Sequence, residues 1–292
     1  DKTENFFHDF KASPSKGRLR EVVNHECGRS TELIADDLKV DGFISTINTA
    51  CSSSVNAIAL GARLIKHNQL DVVIAGGTDA LSKFTLNGFN SLMILDSQPC
   101  RPFDAGRNGL NLGEGAGFVV IISERVKASE KKKSVAYVSG YGNTNDAHHQ
   151  TASSPEGRGS FGAMQKALAM ASLGPRDIDY IILHGTGTLN NDLSEGTAIT
   201  RIYGQEYPKL SSTKAFTGHT LGASGGIEAV FSILAIENQC VFPNLRFETP
   251  IPEINITPQK NFEEGLRINH VMSNSFGFGG NCSSIIFSKT QD

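Results

Sequence analysis

"NTACSSSVNAIALGARLIK", residues 48–66, decides the fold. Its first residues close an apolar, glycine-led run, "GFISTINTA" (42–50). From Ser53 onward Val55, Ile58, Ala59, Ala62 and Ile65 recur at steps of three and four, the stripe of a helix with one buried face. Cys51 sits at the junction. A cysteine that merely fills core space would serve equally well inside the run or inside the helix. At the first turn of a helix, unpaired backbone N–H groups and the positive end of the macrodipole favour thiolate over thiol, so the junction predicts a nucleophile. Ser52, Ser53 and Ser54 are small enough to let a substrate carbonyl approach their amides, which predicts a backbone oxyanion hole.

Working outward, apolar runs of strand length alternate with helical patterns and are bounded by glycine, the pattern of α/β units with buried parallel strands. The candidate strands are "GFISTINTA", "DVVIAGG", "GFVVIIS", "VAYVSGYG", "DYIILHG", "KLSSTKA", "HVMSNSFG" and "SSIIFS". Helical patterns fill 53–66, 161–172, 192–202 and 225–238. The order repeats: strand, turn with a reactive residue, helix, strand, strand describes 43–122 with Cys51 in the turn, and 209–288 with His219 there. The predicted organisation is two pseudo-symmetric halves, 1–130 and 131–292, joined by the charged stretch "ERVKASEKKKS" (124–134). The second copy is preceded by an extra strand, helix and strand, whereas the first follows about 40 polar, irregular residues. Symmetry therefore leads us to expect roughly 100 further residues N-terminal to this numbering.

Three reactive side chains fall at strand ends, where open α/β sheets place their ligand crevice. Cys51 follows "GFISTINTA", His184 ends "DYIILHG", and His219 follows "KLSSTKAFTG". A cysteine hydrolase needs one histidine and an orienting Asn or Asp, which leaves the second histidine surplus. An enolate-forming reaction uses two N–H donors aimed at one oxygen. Lys214, Glu228 and Asp192 either supply charge around that point or are ordinary surface groups.

The bulk properties narrow the field. A chain of 292 residues, 39% apolar, buries the core of one or two domains, and a net charge of −3 provides no field that selects nucleic acid or an anionic membrane. "KKK" (131–133) is read as a solvated loop. Five scattered cysteines without a CxxC pair fit neither a disulfide framework nor a zinc site and suit a reducing, cytoplasmic setting. No apolar stretch approaches a membrane span. "GEGAG" (113–117) and "GFGGN" (277–281) precede strands rather than opening helices, so they are not dinucleotide fingerprints, and no phosphate-cradling GxxxxGK[ST] occurs. These glycines are expected to let backbone pass close to the reactive residues or to form a mobile flap.

"NTACSSS", "RPFDAGRNGLNLGEGAGF", "HGTGT", "SSTKAFTGHTLGASGGIEA" and "NSFGFGG" together resemble a β-ketoacyl synthase of the decarboxylating Cys-His-His class in the thiolase superfamily, in order, from about residue 27 to 288. The resemblance implies a thiolase-like α/β fold layered αβαβα, acting as a homodimer. It implies an acyltransferase that condenses an acyl thioester with malonyl-acyl carrier protein in fatty acid or polyketide-type, including polyene, elongation. By resemblance, Cys51 is the acyl acceptor, His184 and His219 assist decarboxylation and hold the enolate oxygen, and Lys214 and Glu228 support them. Thr151, Thr186 and Thr188 line the pantetheine passage, Phe278 is the aromatic of a glycine-rich gate, and Asp192, Phe276 and Gly277 are supporting positions. No metal and no resident cofactor are implied, since phosphopantetheine arrives on the carrier protein. The serine triplet after Cys51 is as in many polyketide synthases, and Asn281-Cys282 stands where the family usually has Thr-Asn. The alternatives are a non-decarboxylating thiolase, which needs a second catalytic cysteine where this chain reads "NSFGFGG", a catalytically silent chain-length partner, which would lack Cys51, and a Cys-His hydrolase.

Overall fold

A computed structural model describes residues 2–22, 26–131 and 133–290. The first half runs through α1 (Lys2–Ala12), α2 (Gly28–Leu38), α3 (Ser53–Lys66), β1 (Val72–Asp79), α4 (Lys83–Ser91), β2 (Gly115–Ile122) and α5 (Glu124–Ser129). The second comprises β3 (Ala136–Asn145), α6 (Arg158–Ala171), β4 (Tyr180–Ile182), α7 (Leu189–Tyr203), β5 (Lys209–Ser211), α8 (Lys214–Thr217), α9 (Ser224–Asn238), β6 (His270–Phe276) and β7 (Asn281–Lys289). Lys131 and Lys133 are exposed, in keeping with a solvated loop; Lys132 lies outside the described residues.

Two sheets organise the chain. β1 and β2 form an antiparallel pair, and the second sheet has the order β3-β7-β6-β4-β5. Only β4 pairs in parallel, with β5 and β6; β7 is antiparallel to both β6 and β3. The expected run of parallel strands is therefore mixed, because residues 277–280 turn β6 directly into β7 and so short a connection joins only antiparallel neighbours.

Helices α6 and α7 cover one face of the larger sheet, where Met164, Leu168, Ala198 and Ile199 pack on Ile181, Met272 and Ile286. The other face meets α3 and α9, and these in turn cover β1–β2: Val55, Ile58, Ala229 and Ile236 share a core with Ala75, Ile182, Val271 and Phe287. The layering is α, β, α, β, with α3 and α9 as counterparts in the middle. On the outer face of the smaller sheet Val72, Ile74, Phe118 and Val120 are exposed, Val120 by 64%. The approach of α9 to β2 requires glycine: a Cβ on Gly117 would lie 2.3 Å from the backbone nitrogen of Ile227.

The chain departs from its sequence pattern in three places. "GFISTINTA" is not a strand. Its backbone has no ladder partner among the described residues apart from a bridge at Thr49–Cys51, and Phe43 and Ile44 are exposed. The polar stretch before it contains α1 and α2, of which α2 buries only Ala35. In α3 the buried residues are Ser54, Val55, Ile58 and Gly61, so the stripe is rotated away from Ala59, Ala62 and Ile65.

Candidate active site

The turn from Thr49 to Ser52 carries the nucleophile out of regular structure. Cys51 precedes the N-cap Ser52 rather than standing in the first turn of α3, and Ala50 before it is left-handed at φ 54°. That conformation is costly for an L-residue and is held by packing from the opposite half. Gly277 rests on the turn, where a Cβ would lie 2.7 Å from Thr49 O and 3.2 Å from Cys51 N.

His184 follows the end of β4 and is fixed through its backbone by α7. Asp192 and Glu195, three residues apart, present both carboxylates on one face of that helix. Glu195 accepts the N–H groups of His184 at 2.9 Å and Gly185 at 2.8 Å, plus Asn274 Nδ2 at 3.1 Å. Asp192 accepts those of Phe103 (2.7 Å), Thr186 (3.0 Å) and Gly187 (3.2 Å). Burial raises both carboxyls, Glu195 to about 7. His219 is held across the halves: its N–H donates to Asn111 O at 2.7 Å and its carbonyl accepts from Gly113 N at 3.0 Å, which is the structural use of the "NLGEG" stretch.

These elements bring the three reactive groups together. Cys51 Sγ lies 3.1 Å from His219 Nε2, and the two imidazoles meet edge to face at 5.3 Å. Phe276 closes the side of His184 at 5.7 Å. Lys214 Nζ sits 2.5 Å from Glu228 Oε1 and 3.4 Å from His184 Nδ1, with both charged side chains almost wholly buried. Lys214 and Glu228 thus form a buried ion pair behind the histidines.

The hydrogen bonds also settle the tautomers. An ammonium only donates, so His184 Nδ1 accepts from Lys214; the backbone N–H of Leu221 donates to His219 Nδ1 at 3.3 Å, and Ser224 Oγ lies 3.0 Å from the same atom. Both protons are therefore on Nε2, turned toward the sulfur and the cavity. Burial, with the positive Lys214 nearby, holds both imidazoles well below the ordinary histidine range, so they are neutral donors. The sulfur and one nitrogen of each ring lie within 4.8 Å of one another. Even so, metal-ligating histidines donate their second nitrogen to an acceptor, and here both second nitrogens receive.

The thiol behaves differently from the expectation for a helix terminus. Burial pushes Cys51 up to about 11 against the opposing pull of Lys214 and the amides of Phe278 and Cys51 itself. With the cysteine outside the helix and almost wholly buried, desolvation outweighs the dipole. The oxyanion donors also differ. Ser52 N and Ser53 N are used by Thr49 O and Ala50 O, so the amides facing the sulfur are those of Cys51 and Phe278.

A cavity of about 220 Å³ opens from Cys51, His184 and His219 to the surface, and Thr151, Thr186, Thr188, Phe276, Gly277 and Phe278 all line it. Thr188 Oγ1 also caps α7 by accepting from Asn191 N, and it lies 3.0 Å from Thr186 Oγ1. Phe278 stacks on Phe89 at 5.7 Å, a wall residue that no sequence pattern singles out. For Glu195 the sequence signal is its spacing of three residues from Asp192 on one face of α7.

Comparison with known proteins agrees with this geometry. Residues 30–127 match the beta-ketoacyl synthase N-terminal domain and residues 135–248 match the C-terminal domain. The 3-oxoacyl-[acyl-carrier-protein] synthase 2 of Staphylococcus aureus (strain COL) is 39% identical over 268 residues, covering 89% of this chain and 65% of the relative, so the chain spans just under two thirds of that protein. Among solved structures, the ishigamide ketosynthase/chain length factor superposes with a TM-score of 0.95 at 28% identity, over 99% of this chain and 72% of that one. The ketosynthase ApeO of Xenorhabdus doucetiae, solved with its chain length factor ApeC, gives 0.83 at 37% identity, over 91% and 65%. With a thiolase-like fold, both domain matches and a buried Cys-His-His cluster, the chain belongs to the beta-ketoacyl synthase family.

Proposed function

We propose that this chain carries the catalytic centre of a decarboxylating 3-oxoacyl-[acyl-carrier-protein] synthase. The observation that carries the reading is the pair of Nε2–H donors turned toward one buried thiol. In the first stage the Cys51 sulfur attacks an acyl thioester on acyl carrier protein. The carbonyl oxygen becomes an oxyanion between the Cys51 and Phe278 amides, and collapse expels the pantetheine thiolate, which takes up the proton lost by the cysteine. In the second stage malonyl-carrier protein loses carbon dioxide, and the electron pair of the broken C–C bond becomes an enolate whose oxygen is held by His184 and His219. The enolate carbon attacks the acyl-cysteine, the C–S bond breaks, and Cys51 leaves as a thiolate that is reprotonated. Neutral imidazoles suit this role because they donate without supplying a proton that would quench the carbanion.

Halves 1–130 and 131–292 each contribute to the centre, Cys51 from one and the histidines from the other. No metal or resident cofactor takes part, and the pantetheine arm enters with the carrier protein past Thr151, Thr186 and Thr188. The working unit is a pair of subunits in the cytoplasm, a homodimer or an assembly with a chain length factor like those of the ishigamide and ApeO structures, which accounts for the apolar outer face of β1–β2. The product is a fatty acyl or polyketide chain. The test incubates the full-length protein with acyl-carrier proteins and malonyl-carrier protein, following Cys51 acylation by mass spectrometry and 3-oxoacyl product by chromatography. Cys51→Ala should abolish loading; a variant that still loads and condenses overturns the assignment.

A further inference from the structure

Asn281, which departs from the usual family residue, lies far from the reacting atoms in sequence but beside them in space. Its side-chain oxygen collects donors from three elements: Ser52 Oγ at 2.8 Å, Asn56 Nδ2 at 3.0 Å and Asn143 Nδ2 at 2.8 Å, with Ser283 Oγ at 3.4 Å. Among the described residues its own amide nitrogen reaches only Asn143 Oδ1, at 3.5 Å. The position is therefore built around an acceptor. Meanwhile the backbone carbonyl of Asn281 receives Gly277 N at 2.8 Å and so closes the turn that contains Phe278.

We infer that Asn281 is a positioning residue for the nucleophile, fixing through Ser52 the backbone that bears the Cys51 amide and through Gly277 the turn that bears the Phe278 amide, so that both oxyanion donors are set by one side chain and its carbonyl. The inference rests on the condensing-enzyme reading for its substrate but not for its geometry. Ser52 is wholly buried and directly follows Cys51. Its hydroxyl is placed to choose between Thr49 O, at 2.8 Å and within its own turn, and Asn281 across the halves. Without the Asn281 acceptor the hydroxyl falls back on Thr49 and the direct tie between Ser52 and β7 is lost, leaving the longer route from Thr49 Oγ1 through Asn56 to Ser283 Oγ. Oxyanion donors act by being preset, so a small displacement is expressed in the loading rate.

Two near-isosteric substitutions separate the acceptor from the shape. Asn281→Leu removes it, and Asn281→Asp retains it while adding a negative charge that works against a nearby thiolate. Acylation of Cys51 by acyl-carrier protein in the full-length protein should slow at least tenfold in the Leu variant, and the Asp variant should load at least threefold faster than Leu despite its charge. Asn281→Val, which also lacks an acceptor and suits a strand, replaces Leu in the comparison should Leu not fold. Alkylation of Cys51 by iodoacetamide should rank the variants in the same order. This readout needs no condensation, so a wild-type protein that fails to condense removes the proposed activity while the alkylation order still judges Asn281. Loading at the wild-type rate without the acceptor, or an Asp variant no faster than Leu, overturns the inference.

Discussion

Lys214 Nζ lies 3.4 Å from His184 Nδ1 and so decides which nitrogen of that ring carries the proton. The same ammonium pairs with Glu228, whose carboxyl is raised by burial against the opposing pull of that lysine. A single lysine thus orients one histidine donor and partners a carboxyl in the interior.

Replacing Lys214 by methionine should therefore have two separable effects. An uncompensated buried carboxylate costs about 3 to 5 kcal/mol, which thermal unfolding will register. The double variant Lys214→Met with Glu228→Gln should recover most of that loss but not the His184 tautomer. Carbon dioxide release from malonyl-carrier protein should stay depressed at least tenfold in both, while acyl loading on Cys51 falls less. Full decarboxylation in the double variant would contradict the tautomer argument.

The thiol and the imidazoles set opposite pH limits. A thiol raised to about 11 leaves about one molecule in 10⁴ as thiolate at pH 7, and that fraction rises tenfold per pH unit as the proton is removed. Alkylation of Cys51 by iodoacetamide should consequently climb from pH 7 through 10 without reaching a plateau. The histidines, depressed by burial, stay neutral through pH 6.5 and protonate only well below it. Carbon dioxide release should thus show no inflection at the ordinary histidine value. A plateau in alkylation below pH 9, or a histidine limb near 6.5, would count against this electrostatic picture.

The convergence of Cys51, His184 and His219 was legible in the chain because each terminates an apolar run or follows a recognisable turn, and α/β topology sends such positions to one edge. The strand assigned to 42–50 was not, because pairing rather than composition makes a strand and those residues lack a ladder. Residue periodicity found α3 but not the rotation of its buried face, which is set by how closely Gly61 approaches Val73. The raised thiol and the Phe278 amide as oxyanion donor arise from contacts between segments remote in sequence. Spacing within one segment carries no signal for them.

Glu195→Gln tests that anchor. Glu195 offers two oxygens to two backbone N–H donors, those of His184 and Gly185; a glutamine has one acceptor and must turn its NH2 toward the other donor. One buried amide is left without a partner, at a cost of about 1 to 3 kcal/mol. Since the affected backbone bears His184, decarboxylation should fall at least tenfold while the Cys51 alkylation rate stays within a factor of about two, because Glu195 does not touch the thiol turn. Unchanged decarboxylation would show that His184 is held without this carboxylate.

The turn at 277–280 allows the most direct contrast, since two of its glycines are needed for different reasons. Gly277, at φ −98°, has a backbone any residue adopts, but a Cβ there meets Thr49 O at 2.7 Å and Ala50 Cβ at 3.3 Å. Gly279, at φ 81°, has nothing within 4 Å of its Cβ direction, so alanine there meets only the left-handed backbone cost of about 1 to 2 kcal/mol. Gly277→Ala must push either its own turn or the nucleophile turn aside, and both carry an amide that faces the sulfur. Acyl loading by the Gly277→Ala enzyme should drop at least tenfold, whereas Gly279→Ala should lower the melting temperature modestly and load within about threefold of wild type. If the two variants load equally, the close approach of Gly277 to Thr49 and Cys51 has no part in placing the nucleophile.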